Sequence, residues 1–295
     1  MYFNSYFRKK QYAGRSAKIY RMSEMDKPLL IIKIGGSVIT DKESHTPKLR
    51  AEVVKRLTKE IASIYKERKY RIILIHGAGS FGHPIVKKHN LQRGMQTMLQ
   101  KLAYSQTLQN MIKLNNIVVQ NLINLKVPVV SLPPHTFAVQ NAGRLSKLNL
   151  KVIEMCLKNG QVPVLFGDAI LDKKWGCSIL SGDTIAPFLA KKLGAEKVIF
   201  VSDVDGVFTS DPKKDPRAKL IPLIDNLTVK NLLKGAQSIQ TDTKIDVTGE
   251  MYGKVMSIKR NLRGIQAFIT NGLAKNSLKG VLQNTGRSTK LYFKH

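Results

Sequence analysis

The chain has 295 residues, of which 43% are hydrophobic and 23% charged. This balance excludes general disorder and leaves room for one large α/β domain or two small ones. No apolar run approaches the ~18 residues of a membrane span, and two cysteines exclude a disulfide framework and are typical of a reducing cytosol. The formal net charge is +29. Such a field attracts nucleotides, phosphates and nucleic acid, but 36 of the 49 basic residues are lysines, and we interpret most of the charge as solvated surface.

The first 26 residues differ from the rest of the chain. They carry six basic and two acidic residues and lack the apolar segment of a secretory signal. Two interpretations stay open: an organellar transit peptide, or a dispensable extension that ends near Met22 and Met25. We favour the second and expect residues 1–26 to be a disordered basic extension, with the folded domain over 27–295.

Buried strands alternate with amphipathic helices from Pro28 onward. In chain order the patterns predict the strand Leu29–Ile34, a helix over 49–67, the strand Arg71–Ile75, a helix over 95–123, the strand Val127–Leu132, the helix Val152–Lys158, the strand Val162–Phe166, the helix Ile185–Leu193, and the strands Lys197–Val201 and Gln266–Ile269. This alternation is typical of βαβ units. The sequence therefore predicts an α/β fold with a mostly parallel sheet in one two-lobed domain.

Glycines and lysines follow the first predicted strand. Lys33 lies near its end, Gly35-Gly36-Ser37 come next, and Lys42 is nine residues beyond Lys33. Glycines let backbone N–H groups approach a phosphate without Cβ obstruction, and two ammonium groups suit an anion. The spacing is not that of a Walker A loop. The cluster indicates either a phosphate site or a plain turn with two surface lysines.

A second glycine loop follows the strand Arg71–Ile75. It reads His76-Gly77-Ala78-Gly79-Ser80-Phe81-Gly82-His83-Pro84 and lies where open α/β sheets bind their ligands. We expect His83 to donate a hydrogen bond to an anionic oxygen, with a turn-capping histidine as the alternative. His76, at the strand end, is expected to be structural.

Three further clusters carry carboxylates, glycines and another lysine. Leu180-Ser181-Gly182-Asp183-Thr184 precedes a predicted helix, whose N-terminus favours a phosphate, although Ser or Asp there can simply cap the helix. The segment Ser202-Asp203-Val204-Asp205-Gly206-Val207-Phe208 suits ribose hydroxyls or a tight turn. The segment Asp246-Val247-Thr248-Gly249-Glu250-Met251-Tyr252-Gly253-Lys254 adds Lys254, a third candidate phosphate lysine, after a glycine turn.

These five clusters, in this order over roughly residues 28–270, resemble the amino acid kinase superfamily, and the Gly-Ser-Phe-Gly-His-Pro loop resembles isopentenyl phosphate kinases in particular. The resemblance implies an open αβα sandwich with an acceptor lobe over 27–178 and a nucleotide lobe over 179–295. It implies transfer of the γ-phosphoryl group of ATP to isopentenyl phosphate, in isoprenoid precursor synthesis by an alternative mevalonate route. It further implies Mg²⁺ brought by the nucleotide, no metal site of the chain's own, and a cytoplasmic homodimer without a membrane or specific nucleic-acid partner.

The resemblance also implies roles for individual residues. Lys42 corresponds to the transition-state lysine, and Asp183 to the carboxylate that organises the lysines. The implied catalytic residues are Lys33, Lys42, His83, Asp183 and Lys254. The implied ATP contacts are Lys33, Ile34, Gly35, Gly36, Ser37, Gly79, Asp203, Asp205, Gly206, Gly249 and Lys254. The implied acceptor contacts are Gly77, Ala78, His83 and Gly182.

The chemistry of a phosphate-monoester acceptor is consistent with these residue roles. The second pKa of a phosphate monoester is about 6, so the attacking oxygen is anionic at neutral pH and needs no general base. Lysines, loop amides and Mg²⁺ can neutralise the two polyanions. A prenyl tail needs an apolar pocket, for which the candidates are Met95, Met98, Leu102 and Tyr104, unless these residues belong to the core.

Two residues depart from the family's glycine pattern. Ala78 adds a methyl group that can crowd a phosphate, and Glu250 adds a carboxylate that can repel ATP or pair with a lysine. Two alternatives stay open. One is a sister enzyme that phosphorylates another small phosphate or phosphonate, since the sequence does not place the side chains that contact the acceptor tail. The other is a non-catalytic nucleotide-binding or nucleic-acid-associated protein, which Glu250 and the net charge of +29 favour.

Overall fold

The computed structural model describes residues 23–212, 214–229 and 249–294. The strands are β1 (Leu29–Ile34), β2 (Arg71–His76), β3 (Val129–Ser131), β4 (Ala138–Asn141), β5 (Arg144–Leu148), β6 (Val162–Phe166), β7 (Asp168–Asp172), β8 (Gly176–Leu180), β9 (Ala195–Ser202), β10 (Leu223–Ile224), β11 (Gln266–Asn271) and β12 (Ser288–Leu291). The helices are α1 (Gly36–Ile39), α2 (Ala51–Lys66), α3 (His83–Lys88), α4 (Met98–Asn124), α5 (Lys151–Lys158), α6 (Gly182–Leu193), α7 (Gly249–Asn261) and α8 (Ser277–Gln283). Residues 1–22 of the predicted extension and 246–248 of the fifth cluster lie outside the described residues.

The main sheet has the strand order β10-β12-β11-β9-β1-β2-β6-β3. Its central strand β1 pairs in parallel with β2 and β9, and every residue of β1 is buried. A parallel strand covered on both faces reads as a continuous apolar run, which is why the sequence predicts β1 with its observed bounds. Only β12, antiparallel to β11, and its parallel neighbour β10 run against the other strands.

Helices cover both faces of this sheet, and side chains alternate along β1 between the two layers. Leu29 and Ile31 face a core shared with α5, α6 and α7, whereas Leu30 and Ile32 face a core shared with α2, α4 and α8. Side chains of a strand point alternately to opposite faces. The open αβα sandwich predicted from the sequence is therefore the observed architecture.

The predicted helices are present, with shifts at their ends. The helix predicted over 95–123 begins at Met98, because Thr97 caps it by accepting a hydrogen bond from the Gln100 N–H at 3.2 Å. The helix predicted from Ile185 begins earlier, at Gly182, because Ser181 caps it. It ends at Gly194, whose φ of 64° lies in the left-handed region that glycine favours.

A second sheet, with the order β5-β4-β7-β8, is absent from the sequence prediction. Its strands have at most five residues, and β5 has one buried residue in five, so no apolar pattern marks β5. The buried Asp172 ties its turns together. The Asp172 carboxylate accepts hydrogen bonds of 2.7–3.0 Å from the backbone N–H groups of Ala142, Gly143, Lys174 and Trp175 and from the Ser178 hydroxyl.

In the part of the chain that the structure describes, no helix combines the length and apolar character needed to cross a bilayer.

Candidate active site

A cavity of about 390 Å³ opens at the carboxyl ends of the central parallel strands. The loops that leave these strands start side by side, because backbone hydrogen bonds continue past the strand ends. The Gly35 N–H donates to the Val201 carbonyl and the Gly77 N–H to the Ile34 carbonyl, both at 2.8 Å. This edge of an open α/β sheet is where ligands bind, and all five predicted clusters contribute residues that line the cavity. The fifth cluster contributes Met251 and Lys254.

The two glycine loops pack backbone against backbone. A Cβ added to Gly36 would collide with the backbone nitrogen of Gly79, and one added to Gly77 would collide with that of Gly36. Thr40 joins the loops, since its hydroxyl donates to the Gly36 carbonyl at 2.8 Å and accepts from the Ser80 N–H at 3.0 Å. The glycines are thus needed for the close approach of the loops to each other.

A buried lysine and a carboxylate form a charged centre in the cavity. Lys33 Nζ lies 2.8 Å from Asp183 Oδ1, and the two side chains are 7% and 36% exposed. Burial alone would raise the pKa of the Asp183 carboxyl, but the Lys33 and Lys254 cations outweigh burial and hold this pKa below its usual range. Asp183 is therefore ionised at neutral pH and attracts both lysines.

Most of the sequence-predicted site residues come together here. Those that line the cavity are Lys33, Gly35, Gly36, Ser37, Lys42, Gly77, Ala78, Gly79, His83, Gly182, Asp183, Asp203, Gly206 and Lys254. The other three lie elsewhere. The Ile34 side chain packs into the core shared with α2 and α4, Asp205 pairs with Arg287 at 3.1 Å, and Gly249 is the first residue of α7. The Glu250 side chain lies outside the described part of the chain.

Ala78 fits its loop without backbone strain. Its φ of −83° and ψ of −41° are helical values that any L-residue adopts, and its methyl group packs against the core shared with α2 and α4. A Cβ on Gly82 would lie 2.8 Å from the Ala78 Cβ, so the methyl group occupies space that Gly82 leaves open. Ala78 itself lines the cavity.

Apolar side chains form part of the cavity lining. They are Val86 of α3, Met111 of α4, Ala169 of β7 and Ile179 of β8, and Thr107 of α4 also lines the cavity. These elements are neighbours, since α4 contacts α3 and β7, and β7 pairs with β8. The apolar side chains can contact an uncharged chain, while the glycine loops and lysines can take phosphates.

The candidates for an apolar pocket, in and just before α4, do not line the cavity. Met98 and Leu102 are 71% and 60% exposed, and Met95 and Tyr104 pack against a small cluster around Leu91. Thr107 and Met111, later in α4, line the cavity instead, because the turn that faces it depends on where α4 crosses the sheet.

Asp168, which lines the cavity, and its partner His135 were not predicted from the sequence. Asp168 follows Gly167 at the end of β6 and lines the cavity with a buried side chain. Its Oδ2 accepts hydrogen bonds from His135 Nδ1 at 2.6 Å and from the His135 N–H at 3.2 Å. Burial raises the pKa of the Asp168 carboxyl, and the His135 contacts act against that rise. Gly167 and Asp168 follow a buried strand, as the other glycine loops do, and this position in the sequence could have identified Asp168 as a candidate site residue.

His76 is structural, as the sequence predicts. Its ring is fully buried and stacks on Phe166 with centroids 5.2 Å apart, and Nε2 lies 3.2 Å from Asn115 Oδ1. Burial lowers the pKa of His76 to about 4. The ring is therefore neutral at pH 7 and supports the second glycine loop from below.

Comparison with known proteins agrees with this geometry. The model of the amino acid kinase family matches residues 28–271. The chain belongs to the amino acid kinase family. Membership implies ATP as the phosphoryl donor of this kinase, and it accounts for the αβα fold and for the glycine loops at the sheet edge.

Relatives similar over almost their whole length are isopentenyl phosphate kinases. That of Methanothermobacter thermautotrophicus is 31% identical over 275 residues, 90% of this chain and 100% of the relative. That of Methanocaldococcus jannaschii is 31% identical over 278 residues, 90% of this chain and 99% of the relative. An X-ray structure of isopentenyl phosphate kinase matches with a TM-score of 0.76 at 29% identity, covering 89% of this chain and 99% of that one.

Proposed function

We propose that this kinase transfers the γ-phosphoryl group of ATP to isopentenyl phosphate, producing isopentenyl diphosphate and ADP. The observation that carries the proposal is the cavity lining, which combines glycine loops and lysines with the apolar side chains of Val86, Met111 and Ile179. The full-length similarity to isopentenyl phosphate kinases supports the choice of acceptor.

The proposed reaction needs no general base. An oxygen of the acceptor phosphate attacks the γ-phosphorus of ATP and forms a new P–O bond. The bond from the γ-phosphorus to the β,γ-bridging oxygen breaks, and ADP leaves with the electron pair. Because the second pKa of a phosphate monoester is about 6, the attacking oxygen is already an anion at neutral pH. His83 then acts as a hydrogen-bond donor to the acceptor phosphate.

The cavity must supply positive charge, because ATP and the acceptor phosphate, both polyanions, meet in it. Lys33, Lys42 and Lys254 line the cavity, and Asp183 holds Lys33 at 2.8 Å. We assign Lys42 to stabilisation of the transition state and Lys33 and Lys254 to the β- and γ-phosphates. Preorganised cations stabilise charge that develops in the transition state without reorganising when it forms.

We further assign residues 27–178 to an acceptor lobe and 179–295 to a nucleotide lobe. The proposed nucleotide contacts beyond the lysines line the cavity and are Gly35, Gly36, Ser37, Gly79, Asp203 and Gly206. Ile34 and Asp205 do not line it, and we do not assign these two residues or Gly249 to the nucleotide. The proposed acceptor contacts beyond His83 are Gly77, Ala78 and Gly182.

Mg²⁺ fits this site as an ion carried by the nucleotide. Across residues 23–212, 214–229 and 249–294, no three His, Cys, Asp or Glu side chains gather into a ligand set, and Mg²⁺ commonly takes its ligands from phosphates, waters and one or two carboxylates. Asp203 and Asp211 line the cavity and are the carboxylates we propose for this role. The bound ion would neutralise charge on the β- and γ-phosphates.

We further propose a cytoplasmic homodimer that acts on small molecules, without a membrane or specific nucleic-acid partner. Exposed Met98, Leu99 and Leu102 on α4 support a subunit contact, since they are 71%, 62% and 60% exposed. Light scattering of the purified chain measures its mass directly. A monomer at micromolar concentration would contradict the dimer.

An acceptor panel tests the proposed function. ADP release from Mg-ATP is measured with isopentenyl phosphate, dimethylallyl phosphate, uridylate, acetylglutamate, carbamate and fosfomycin. The proposal expects the highest kcat/KM with isopentenyl phosphate. Preference for another phosphate or phosphonate would establish the sister-enzyme alternative, and silence across the panel from folded protein would establish the non-catalytic one.

Two variants test the residue assignments. His83→Ala should raise the acceptor KM and lower turnover, because it removes a donor to the acceptor phosphate. Lys42→Ala should mainly lower turnover, because its charge is assigned to the transition state. The matched control is Lys59→Ala, on the exposed face of α2. Wild-type kinetics from both site variants would overturn the assignments.

A further inference from the structure

Arg56 and Glu60, one turn apart on α2, hold the loop that joins β11 to α8. Arg56 Nη1 donates to Glu60 Oε1 at 3.0 Å and to the Ala274 carbonyl at 2.7 Å, and Nη2 donates to the Gly272 carbonyl. The Arg56 guanidinium thus binds two carbonyls of a loop that lies 216 residues away in sequence. We call residues 271–278 the clamped loop.

Glu60 binds the other end of the clamped loop. Its Oε1 accepts from the Asn276 N–H and its Oε2 from the Leu278 N–H, both at 3.0 Å, and the side chain is 7% exposed. Arg56 and Glu60 therefore satisfy two carbonyls and two amides of the same loop. Charge-assisted hydrogen bonds of this kind are shorter and stronger than neutral ones, so the pair fixes the loop against α2.

The clamped loop also contacts Ser202, which lines the cavity, and Asp205 just beyond it. The Gly272 N–H donates to the Ser202 carbonyl at 2.8 Å, and Asn271 Nδ2 donates to Asp205 Oδ1 at 3.0 Å. A Cβ on Gly272 would collide with the side chains of Val201 and Val38. The clamped loop therefore lies against the end of β9, where residues 202–206 begin.

We infer that Arg56 and Glu60 are positioning residues for ATP, acting through the clamped loop on residues 202–206. Ser202, Asp203, Val204 and Gly206 line the cavity, whereas Arg56 and Glu60 lie outside it and contact no reacting group. The clamped loop contacts residues 202 and 205 through the Gly272 N–H and the Asn271 side chain, and the pair on α2 holds that loop in place. The inference rests on the proposed function only through the placement of ATP beside residues 202–206.

The variant Arg56→Lys tests whether the hydrogen bonds of the guanidinium group, rather than its positive charge, position the clamped loop. Lysine keeps the positive charge but lacks the planar fork that reaches Glu60 and two carbonyls at once. Arg68→Lys is the matched control, since Arg68 follows the same helix and contacts Tyr65, with its guanidinium 5.0 Å from that ring. Calorimetric titration with ATP, in the absence of acceptor, gives the Kd of each protein.

We expect Arg56→Lys to raise the Kd for ATP about three- to tenfold and to leave the acceptor KM within about twofold of wild type. Arg68→Lys should keep the wild-type Kd. A merely structural role would lower Tm and leave the Kd for ATP unchanged, or would weaken ATP and acceptor equally. Either of those results overturns the inference.

A double-mutant cycle tests the route of the effect. Asn271→Ala removes the hydrogen bond from the clamped loop to Asp205, and it should raise the Kd for ATP by itself. If both changes act through the clamped loop, the Kd for ATP of the double variant will rise by less than the product of the two single fold-changes. Fully multiplicative effects would overturn the proposed route. Because the titration uses no acceptor, a wrong acceptor assignment leaves its result intact, whereas wild-type protein that binds no ATP would overturn both proposals.

Discussion

Replacing Asp183 by asparagine removes the charge between two lysines and keeps the shape of the side chain. Lys33 Nζ lies 2.8 Å from the lost charge and is almost fully buried, so its ammonium group would lose the attraction of the Asp183 carboxylate. Breaking a buried ion pair costs ~3–5 kcal/mol. Because 36% of the Asp183 side chain is exposed, water screens the pair, and we expect the free energy of unfolding to fall by roughly 1–2 kcal/mol.

We expect Asp183→Asn to lower kcat without weakening the binding of ATP. Without the carboxylate, Lys33 and Lys254 lose their common partner, and misplaced catalytic groups lower kcat by about 10²-fold. ATP affinity should stay the same or improve, because a negative charge beside the polyphosphate is removed. Steady-state ADP release gives kcat, and calorimetry gives the Kd for ATP.

The control is Asp26→Asn, which makes the same chemical change in a short turn before β1, at the strand end opposite the cavity. It should leave kcat and the Kd for ATP unchanged. A tenfold loss of ATP affinity in Asp183→Asn with unchanged kcat would refute the reasoning. Asp183 would then bind the nucleotide, directly or through its metal ion, rather than orient the lysines.

Three further perturbations follow from the structure. Gly36→Ala should abolish turnover while the chain still folds, because its Cβ would collide with the Gly79 backbone; circular dichroism and ADP release measure the two effects. Asp172→Asn should destabilise the fold by about 2–4 kcal/mol at pH 7, measured by urea unfolding. Hydrogen bonds hold the pKa of Asp172 well below its usual value despite burial, so its stabilisation is complete above about pH 4 and is lost as pH falls further. Met111→Ala should cost about 2–5 kcal/mol and raise kcat/KM for longer prenyl phosphates relative to isopentenyl phosphate.

Each of these has a distinct contradicting result. Wild-type kcat in Gly36→Ala would mean that the two glycine loops can separate without loss. A difference in stability between wild type and Asp172→Asn that stays constant from pH 7 to pH 2 would show that the charge of Asp172 is not what stabilises the turns. An unchanged acceptor preference in Met111→Ala would place the acceptor chain elsewhere in the cavity.

The sequence predicted those parts of the fold that follow from local pattern. Every residue of β1 is buried, and a continuous apolar run bounded by Gly35-Gly36 identifies such a strand. The glycine loops were predictable for the same reason, since each follows a buried strand. In contrast, β5 has one buried residue in five, and nothing in its pattern separates it from a polar loop.

The site features that could not be predicted from the sequence depend on contacts between residues far apart in the chain. Asp168 and His135 meet at 2.6 Å although 33 residues separate them, and Arg56 reaches a loop 216 residues away. Likewise, the turn of α4 that faces the cavity contains Met111 rather than Met98 or Leu102, because the crossing of α4 over the sheet sets it. Periodicity predicts that α4 is a helix but not which of its faces meets the ligand.

The central claim is phosphoryl transfer from ATP to a phosphate acceptor. The most direct test is ³¹P NMR of a mixture of the wild-type chain, Mg-ATP and isopentenyl phosphate. The account predicts that the monoester signal of isopentenyl phosphate is replaced by two coupled diphosphate signals, in step with the appearance of ADP. ADP accompanied by inorganic phosphate, with the monoester signal unchanged, would show hydrolysis instead of transfer and would contradict the account.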